Sequence, residues 1–436
     1  MTITDPRRRT ATPAGKGRTP VPAPDRLPRL LAEPTGPGLV DHLDLWGPGG
    51  RLDLDEVGRA GLRGRGGAGF PTAHKLAAVR RSAGVRGRTP VVVANGTEGE
   101  PASAKDAALL EHRPHLVLDG VAAAAAALGA DRAVLCVSDD DDRAARSALR
   151  AIGERRGLDR IAVELVRTPE GYVSGEESAL VRWLDGGPAL PTVTPPRPSD
   201  RGVSRRPTLV ENVETLAHLA LIARFGGGWW RGVGTADDPG TTLVTVSGGV
   251  ERPGVYEVAS GTDLGGLLRS VGAGPTAGVL VGGYFGTWLS PERIDGTGLG
   301  RAPLARLGGS PGCGVVAVLP AGSCPLAETA RVAAWLAGQS AGQCGPCVHG
   351  LPALAGALGA MVDGDPDGRA EAQLHRWSAM VRGRGACRLP DGAVGLVQSA
   401  LAAFGGHLEL HRSGRRCAEA DRPPVLPVPP RARRAA

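Results

Sequence analysis

Apolar positions along the chain change their period several times, and those changes divide it into segments. Residues 31–60 carry short apolar groups at helical spacing and lead into a glycine-rich stretch. Beyond it, unbroken Val/Ile/Leu runs alternate with segments of helical period. Strands are predicted over Pro90–Ala94, Ala133–Ser138 and Ile161–Thr168, and helices over His115–Leu128 and Asp140–Arg156. Runs without polar alternation predict parallel strands covered on both faces. Ser174 and Glu177, set ahead of Ala179, Leu180, Trp183 and Leu184, predict a capping box that opens the next helix. A Pro- and Arg-rich connection over 187–207 follows, and a helix over Val210–Arg224 closes this part.

The pattern then shortens. Thr242–Ser247, a Pro253-Gly254 turn, Val255–Val258, a Thr262-capped helix to about Val271 and Gly278–Val281 predict a β-turn-β-α-β unit resembling a β-grasp. From Pro325 onward the period is helical over 326–340, 350–362, 367–382 and 391–404, with short joints, which predicts a small four-helix bundle. The expected domains are a basic disordered tail at 1–30, an α/β domain at 31–237, the β-grasp at 238–320, the helical domain at 321–415 and a second disordered tail at 416–436.

Charge changes the picture only at the ends. The formal charge of +7 resides in residues 1–30, with seven basic and two acidic side chains, and 418–436, with four and two. The body between is neutral, so a nucleic-acid face is not expected. No apolar run approaches the ~18 residues of a membrane span. The N-terminus lacks the apolar core of a secretory signal. A cytoplasmic protein is expected, docked at most peripherally on a membrane complex. Seven cysteines with one C-x-x-C pair suit reduced thiols and metal rather than a disulfide framework.

Two groups of residues carry candidate chemistry. Arg63–Thr72 holds Gly64, Gly66, Gly67 and Gly69 around Arg65, with Phe70 after them and Lys75 one turn on. Glycine admits positive φ and lets backbone N–H groups approach a phosphate, and a helix start behind the loop favours an anion. Only three lysines and four phenylalanines occur in the chain, and one of each lies here. The other group is Cys344 and Cys347 between two predicted helices, with Cys387 further on. An iron–sulfur cluster, a zinc site completed by His349 and a vestigial pair are all compatible with it. Cys136, in a strand, and Cys313, beside glycines, read as structural.

The glycine segment resembles the flavin loop R-G-R-G-G-A-G-F-P-T-x-x-K of the flavoprotein component of complex I, the NADH-quinone oxidoreductase F proteins. Further blocks follow in the same order. Asn95–Pro101 with Lys105, Asp106 and Leu109–Glu111 is similar to N-x-D-E-G-E-P-x-x-x-K-D-x-x-L-L-E, Gly171–Leu180 to Y-I-C-G-E-E-T-A-L, and Pro207–Leu216 to P-T-x-V-N-N-V-E-T-L. The resemblance spans about residues 40–415. It implies a Rossmann-like FMN-binding domain with a parallel sheet, a ubiquitin-like (SLBB) β-grasp domain and a helical bundle holding a [4Fe–4S] cluster. It also implies that Gly64, Arg65, Gly66, Gly67, Gly69 and Lys75 hold FMN, and that Asn95, Glu98, Tyr172, Gly175, Glu176, Asn212 and Thr215 line it. Phe70 would stack on NAD(H) or NADP(H), with Glu98, Glu176 and Glu177 as an acidic rim. Cys344, Cys347 and Cys387 would be cluster ligands.

Departures from the family pattern concern what enters and leaves. Ala78 and Arg197 stand where the family has aromatics, Thr97 replaces an Asp, Glu211 an Asn, and Ala341 the first cluster cysteine. His349, Cys324, Cys417 or a non-protein ligand would fill that corner, or it would stay empty and leave a labile or three-iron cluster. Arg197, Arg201, Arg205 and Arg206 motivate NADPH as the reductant, against the plainer reading of a solvated loop. The function implied is an electron-input module: hydride passes from NAD(P)H to FMN, then single electrons leave through the cluster to a separate acceptor. That acceptor would be a thioredoxin-like [2Fe–2S] protein or a ferredoxin. The alternative is a non-catalytic paralogue serving as a scaffold.

Overall fold

The computed structural model describes residues 27–32, 36–414 and 417–429; of the tails expected at 1–30 and 416–436, residues 1–26, 416 and 430–436 lie outside the described residues. Four parallel strands form the first sheet: β1 (Val91–Gly96), β2 (Arg132–Ser138), β3 (Val163–Thr168) and β4 (Thr208–Asn212). Their order is β3-β2-β1-β4. Side chains of β1 alternate between faces: Val92 and Ala94 join the larger core, while Val91 and Val93 pack with Val134, Cys136, Leu180 and Val210. Both faces are therefore buried, which is why these strands carry no polar alternation.

Two local expectations are corrected. Thr208–Asn212 is a strand, and the following helix starts at Val213, capped by Asn212 accepting from the Glu214 N–H. The cap of the Glu177–Leu184 helix is Glu176, which accepts from the Ser178 and Ala179 N–H groups, rather than Ser174. A carboxylate one residue before the first turn reaches the same orphan N–H groups as a serine hydroxyl.

A second sheet has five strands: β5 (Thr241–Gly248), β6 (Gly254–Ala259), β7 (Thr276–Val281), β8 (Thr287–Leu289) and β9 (Val315–Pro320). Their order is β6-β5-β9-β7-β8, with β5 and β9 parallel. One face packs on the Leu264–Ser270 helix through Leu264, Leu267 and Leu268. The other face, through Leu280, Val315, Ala317 and Leu319, joins the C-terminal helices. Those helices are Pro325–Gly338, Leu351–Asp363, Arg369–Val381 and Leu389–Ala403, followed by a short one, Gly405–Arg412.

The expected tail boundaries also shift. Arg29 and Leu30 are buried, with the Leu30 and Leu31 N–H groups donating to Glu257 of β6 at 2.6 and 3.1 Å. Residues 417–429 are folded against the helical layer: Ala420 and Leu426 are buried, and the Val425 and Leu426 N–H groups donate to Glu328. Proline and arginine content suggested disorder, but Leu426 and the Glu328 carboxylate give this segment apolar and polar anchors.

Candidate functional site

In the order β3-β2-β1-β4 the chain leaves β1 for β2 on one side and returns to β4 on the other. The carboxyl ends of β1 and β4 thus border a topological switch point, where open α/β sheets bind ligands. Asn95 and Asn212 face each other there in direct register. Asn212 Nδ2 donates to the Asn95 carbonyl at 3.3 Å and to Asp106 Oδ2 at 2.6 Å, and Asn95 Nδ2 donates to the Gly175 carbonyl at 2.8 Å.

The glycine loop folds back over this edge. Arg63 and Pro71 bridge its neck, where Gly64 N donates to the Phe70 carbonyl and Thr72 N to the Leu62 carbonyl. Arg65 N donates to Thr215 Oγ1 at 2.9 Å, and its guanidinium donates to the Thr241 carbonyl. Gly67 and Gly69 take φ of 105° and 60°, which L side chains rarely adopt. The loop's hydrogen bonds are made at its ends; among the described residues, the N–H groups of Gly66, Gly67 and Ala68 form none. That glycine crown, set before the helix Thr72–Arg86, fits a phosphate. Arg301, between β8 and β9, places its guanidinium against Gly69, a cation no local motif marked.

Phe70 is 43% exposed, a face open to a partner ring. Lys75 donates to the Val210 carbonyl at 2.7 Å and pairs with Glu177 at 3.2 Å. Burial lowers its pKa, but Glu211 and Glu177 outweigh that and hold the ammonium charged. Glu176 carries its carboxyl on the helix cap described above, and burial raises its pKa.

Other candidates turn elsewhere. Glu98 caps the Lys105–His112 helix, accepting from the N–H groups of Lys105, Asp106 and Ala107 and from the Ser103 hydroxyl. Tyr172 donates to Glu100 at 3.1 Å and packs edge-on against Phe285 and Trp335, which ties the α/β part to the helical layer. Of the four arginines, Arg206 binds Asp131, Thr89 and Pro90 before β1, at the strand end away from the switch point. Arg197, by contrast, lies close enough to Lys75 to oppose its charge.

A buried ionic group supports the asparagines. Lys105 pairs with Asp106 at 2.7 Å and Glu214 at 3.0 Å, and all three side chains are within 7% of full burial. Burial pushes Glu214 up, but Lys105 and His218 overcome it and hold the carboxyl at about 2. Burial raises Glu98 and Glu100 to about 7. These two carboxyls favour the protonated fold, so their contribution to stability is lost as pH rises from about 4.5 through 7. Glu214 acts oppositely, its contribution being lost as pH falls from about 4.5 to 2. Glu100→Gln should flatten the decline of melting temperature between pH 5 and 8 by about one proton's worth. An unchanged slope would show that Glu100 is ionised throughout.

The thiols separate into two groups. Burial first, then the nearby Cys344 and Cys387, push Cys347 up to about 12, so these three share one neighbourhood at the start of the Pro346–Gly350 turn and before the Leu389–Ala403 helix. Glu176 is among the charges acting on Cys387, which sets this group beside the glycine-loop site. Among the described residues the three do not close to within 4.8 Å as a set. Three thiols in one neighbourhood fit three of the four corners at which an iron–sulfur cluster is held by thiolates. Cys324 and Cys417, considered for its fourth corner, instead meet each other and His407.

Comparisons with known proteins agree with this geometry. Residues 57–221 match the family model of the Nuo51 FMN-binding domain, and residues 327–411 match the NADH-ubiquinone oxidoreductase-F iron-sulfur binding region. The F 2 component of the NADH-quinone oxidoreductase of Rhizobium meliloti (strain 1021) is 31% identical over 379 residues, 84% of this chain and 89% of that protein. HndC, a component of the NADP-reducing hydrogenase of Solidesulfovibrio fructosivorans, is 29% identical, covering 84% of this chain and 76% of HndC. A crystal structure of NAD+-reducing [NiFe]-hydrogenase in the H2-reduced state superposes with a TM-score of 0.74 at 33% identity, over 82% of this chain but only 62% of the hydrogenase chain. With both family regions in place and this coverage, the chain belongs to the NADH-quinone oxidoreductase F family.

Proposed function

We propose that this chain is an FMN-dependent NAD(P)H dehydrogenase module that passes electrons through an iron–sulfur cluster to a protein acceptor. The observation that carries it is the glycine crown laid over Asn95 and Asn212 at the switch point, with three clustered thiols beside Glu176. When bound, FMN accepts a hydride and releases electrons singly, so no acid–base triad is required of the protein. Gly64, Gly66, Gly67 and Gly69 form the backbone cradle for the phosphate, and Arg65 anchors the loop on Thr215. Lys75 and Arg301 supply positive charge to the same anion. Asn95 and Asn212 present amides fixed by Gly175 and Asp106. Phe70 offers a stacking face to the incoming nucleotide, Arg197 a guanidinium near Lys75, and Glu176 and Glu177 the acidic rim. Glu98 serves as a helix cap that shapes the wall rather than as a ligand.

Cys344, Cys347 and Cys387 hold three corners of the cluster, with a non-cysteine ligand at the fourth. Ala341→Cys should then raise cluster stability, read as slower iron loss in air and an altered EPR signal of the reduced protein. An unchanged signal and rate would mean that position 341 does not face the cluster.

The finer architecture follows the same reading. The hairpin β5–β6, the Leu264–Ser270 helix and the parallel β5–β9 pair support a β-grasp, SLBB-like domain over 238–320. The helices from Pro325 onward support a bundle. Domains at 31–237 and 321–415 complete it. The acceptor is a thioredoxin-like [2Fe–2S] protein or a ferredoxin, and the chain works as a peripheral component of a larger complex. No described helix is long and apolar enough to cross a membrane.

The test is anaerobic purification followed by titration with NADH and NADPH. Bleaching of the flavin absorbance by either nucleotide supports the reading, and the faster of the two names the substrate. A protein that retains no flavin even after reconstitution with FMN would sink it.

A further inference from the structure

A second constellation of metal-ligating groups lies outside the site described above. Cys324, His407 and Cys417 bring one ligand atom each to within 4.8 Å of one another. His411 approaches one of them, its Nε2 lying 3.4 Å from Cys324 Sγ, though it does not come within 4.8 Å of all three. The four come from three places in the chain: the residue before the Pro325–Gly338 helix, the Gly405–Arg412 helix and the segment after it. His407 and His411 stand four residues apart, on one face of their helix. His411 is fully buried, and Cys324 and Cys417 are nearly so. His407 Nδ1 is buried and has no hydrogen-bond partner among the described residues. A polar atom left in that condition is costly unless something occupies it.

From this we infer that Cys324, His407 and Cys417 hold a structural zinc ion, separate from the iron–sulfur thiols, with His411 turning in from beside Cys324 as the fourth ligand when the metal binds. Two thiolates and two imidazoles are a common tetrahedral zinc set. Bonds of about 2.3 Å to sulfur and 2.0–2.1 Å to nitrogen put tetrahedral ligand atoms roughly 3.4–3.8 Å apart, which the 3.4 Å contact already meets. The Ala327 N–H donates to Cys324 Sγ at 3.4 Å from the first turn of a 14-residue helix. Cys417 donates its proton to Glu419 at 2.7 Å, so metal binding would release both thiol protons to solvent and free that carboxylate. All four donors are protein groups, so no open position remains for chemistry. The ion fastens the C-terminal segment 417–429 to the helical layer, beside the Glu328 bonds to Val425 and Leu426 and the Tyr284 hydroxyl bond to the Pro427 carbonyl.

The experiment is elemental analysis of the full chain purified without added metal. About one zinc per chain is expected in addition to iron. The double variant Cys324→Ser/Cys417→Ser should lose zinc by roughly tenfold or more while keeping its iron and flavin. Cys387→Ala should do the reverse. Where the double variant is insoluble, cobalt(II) loading of the unmutated chain replaces it: a tetrahedral ligand-field spectrum with thiolate charge-transfer bands is expected. Zinc absent from the chain, zinc that follows Cys387 instead, an octahedral cobalt spectrum, or a Cys324–Cys417 disulfide in the anaerobic protein would each overturn the assignment. None of these outcomes depends on flavin reduction, so failure here is distinct from failure of the dehydrogenase reading.

Discussion

Lys105→Met should destabilise the protein by about 3–5 kcal/mol, the cost of leaving buried charges without their partner. Lys105 is 1% exposed and its single ammonium pairs with both Asp106 and Glu214, themselves 5% and 0% exposed. Methionine keeps most of the volume, so the loss isolates charge from packing. The effect should reach the site as well, because Asp106 holds the Asn212 amide and Asn212 caps the Val213–Trp230 helix. Chemical denaturation monitored by circular dichroism checks the stability, and adding Asp106→Asn and Glu214→Gln to the variant should restore part of it. A single-variant loss below about 1 kcal/mol would show that water reaches this group.

Gly175→Ala should weaken flavin binding with far less effect on stability. A methyl at Gly175 would lie 2.6 Å from the Thr97 carbonyl oxygen, a backbone atom that cannot rotate away. The same residue's carbonyl fixes the Asn95 amide. Relief therefore requires the Thr97 and Gly175 segments to separate at the mouth of the crevice. Overpacking of this kind costs about 1–3 kcal/mol, equivalent to roughly 5- to 150-fold in affinity if it falls on the bound state. FMN titration of the apoprotein measures it. Unchanged affinity with a lowered melting temperature would place Gly175 in the framework and not at the site.

Much of the site was legible because it is local. The glycine loop is a run of adjacent residues whose conformational demands only glycine meets, and the C-x-x-C pair is equally compact. The strands were legible because burial on both faces removes polar alternation. Thr208–Asn212 escaped because a five-residue edge strand containing Glu211 and Asn212 has no apolar run to signal it. Glu98 was read as a rim carboxylate because its helix-capping partners are backbone N–H groups, which leave no mark in side-chain pattern.

Long-range convergence was a different matter. Arg301 lies more than 200 residues from the glycine loop it touches, and Cys324 meets residues beyond 400. Cys324 and Cys417 were visible as thiols, yet nothing in their spacing said which other groups they would join. Local composition thus determined the glycine loop, the strand and helix classes and the family of this protein. The tertiary structure alone decided that Lys105 is the hub of a buried ionic group, that the tail after Cys417 is folded, and that seven cysteines divide between different neighbourhoods. The reason is that conformational preference and periodicity act over a few residues. Pairing of charges and ligands depends instead on which surfaces the folded layers bring within a few ångströms.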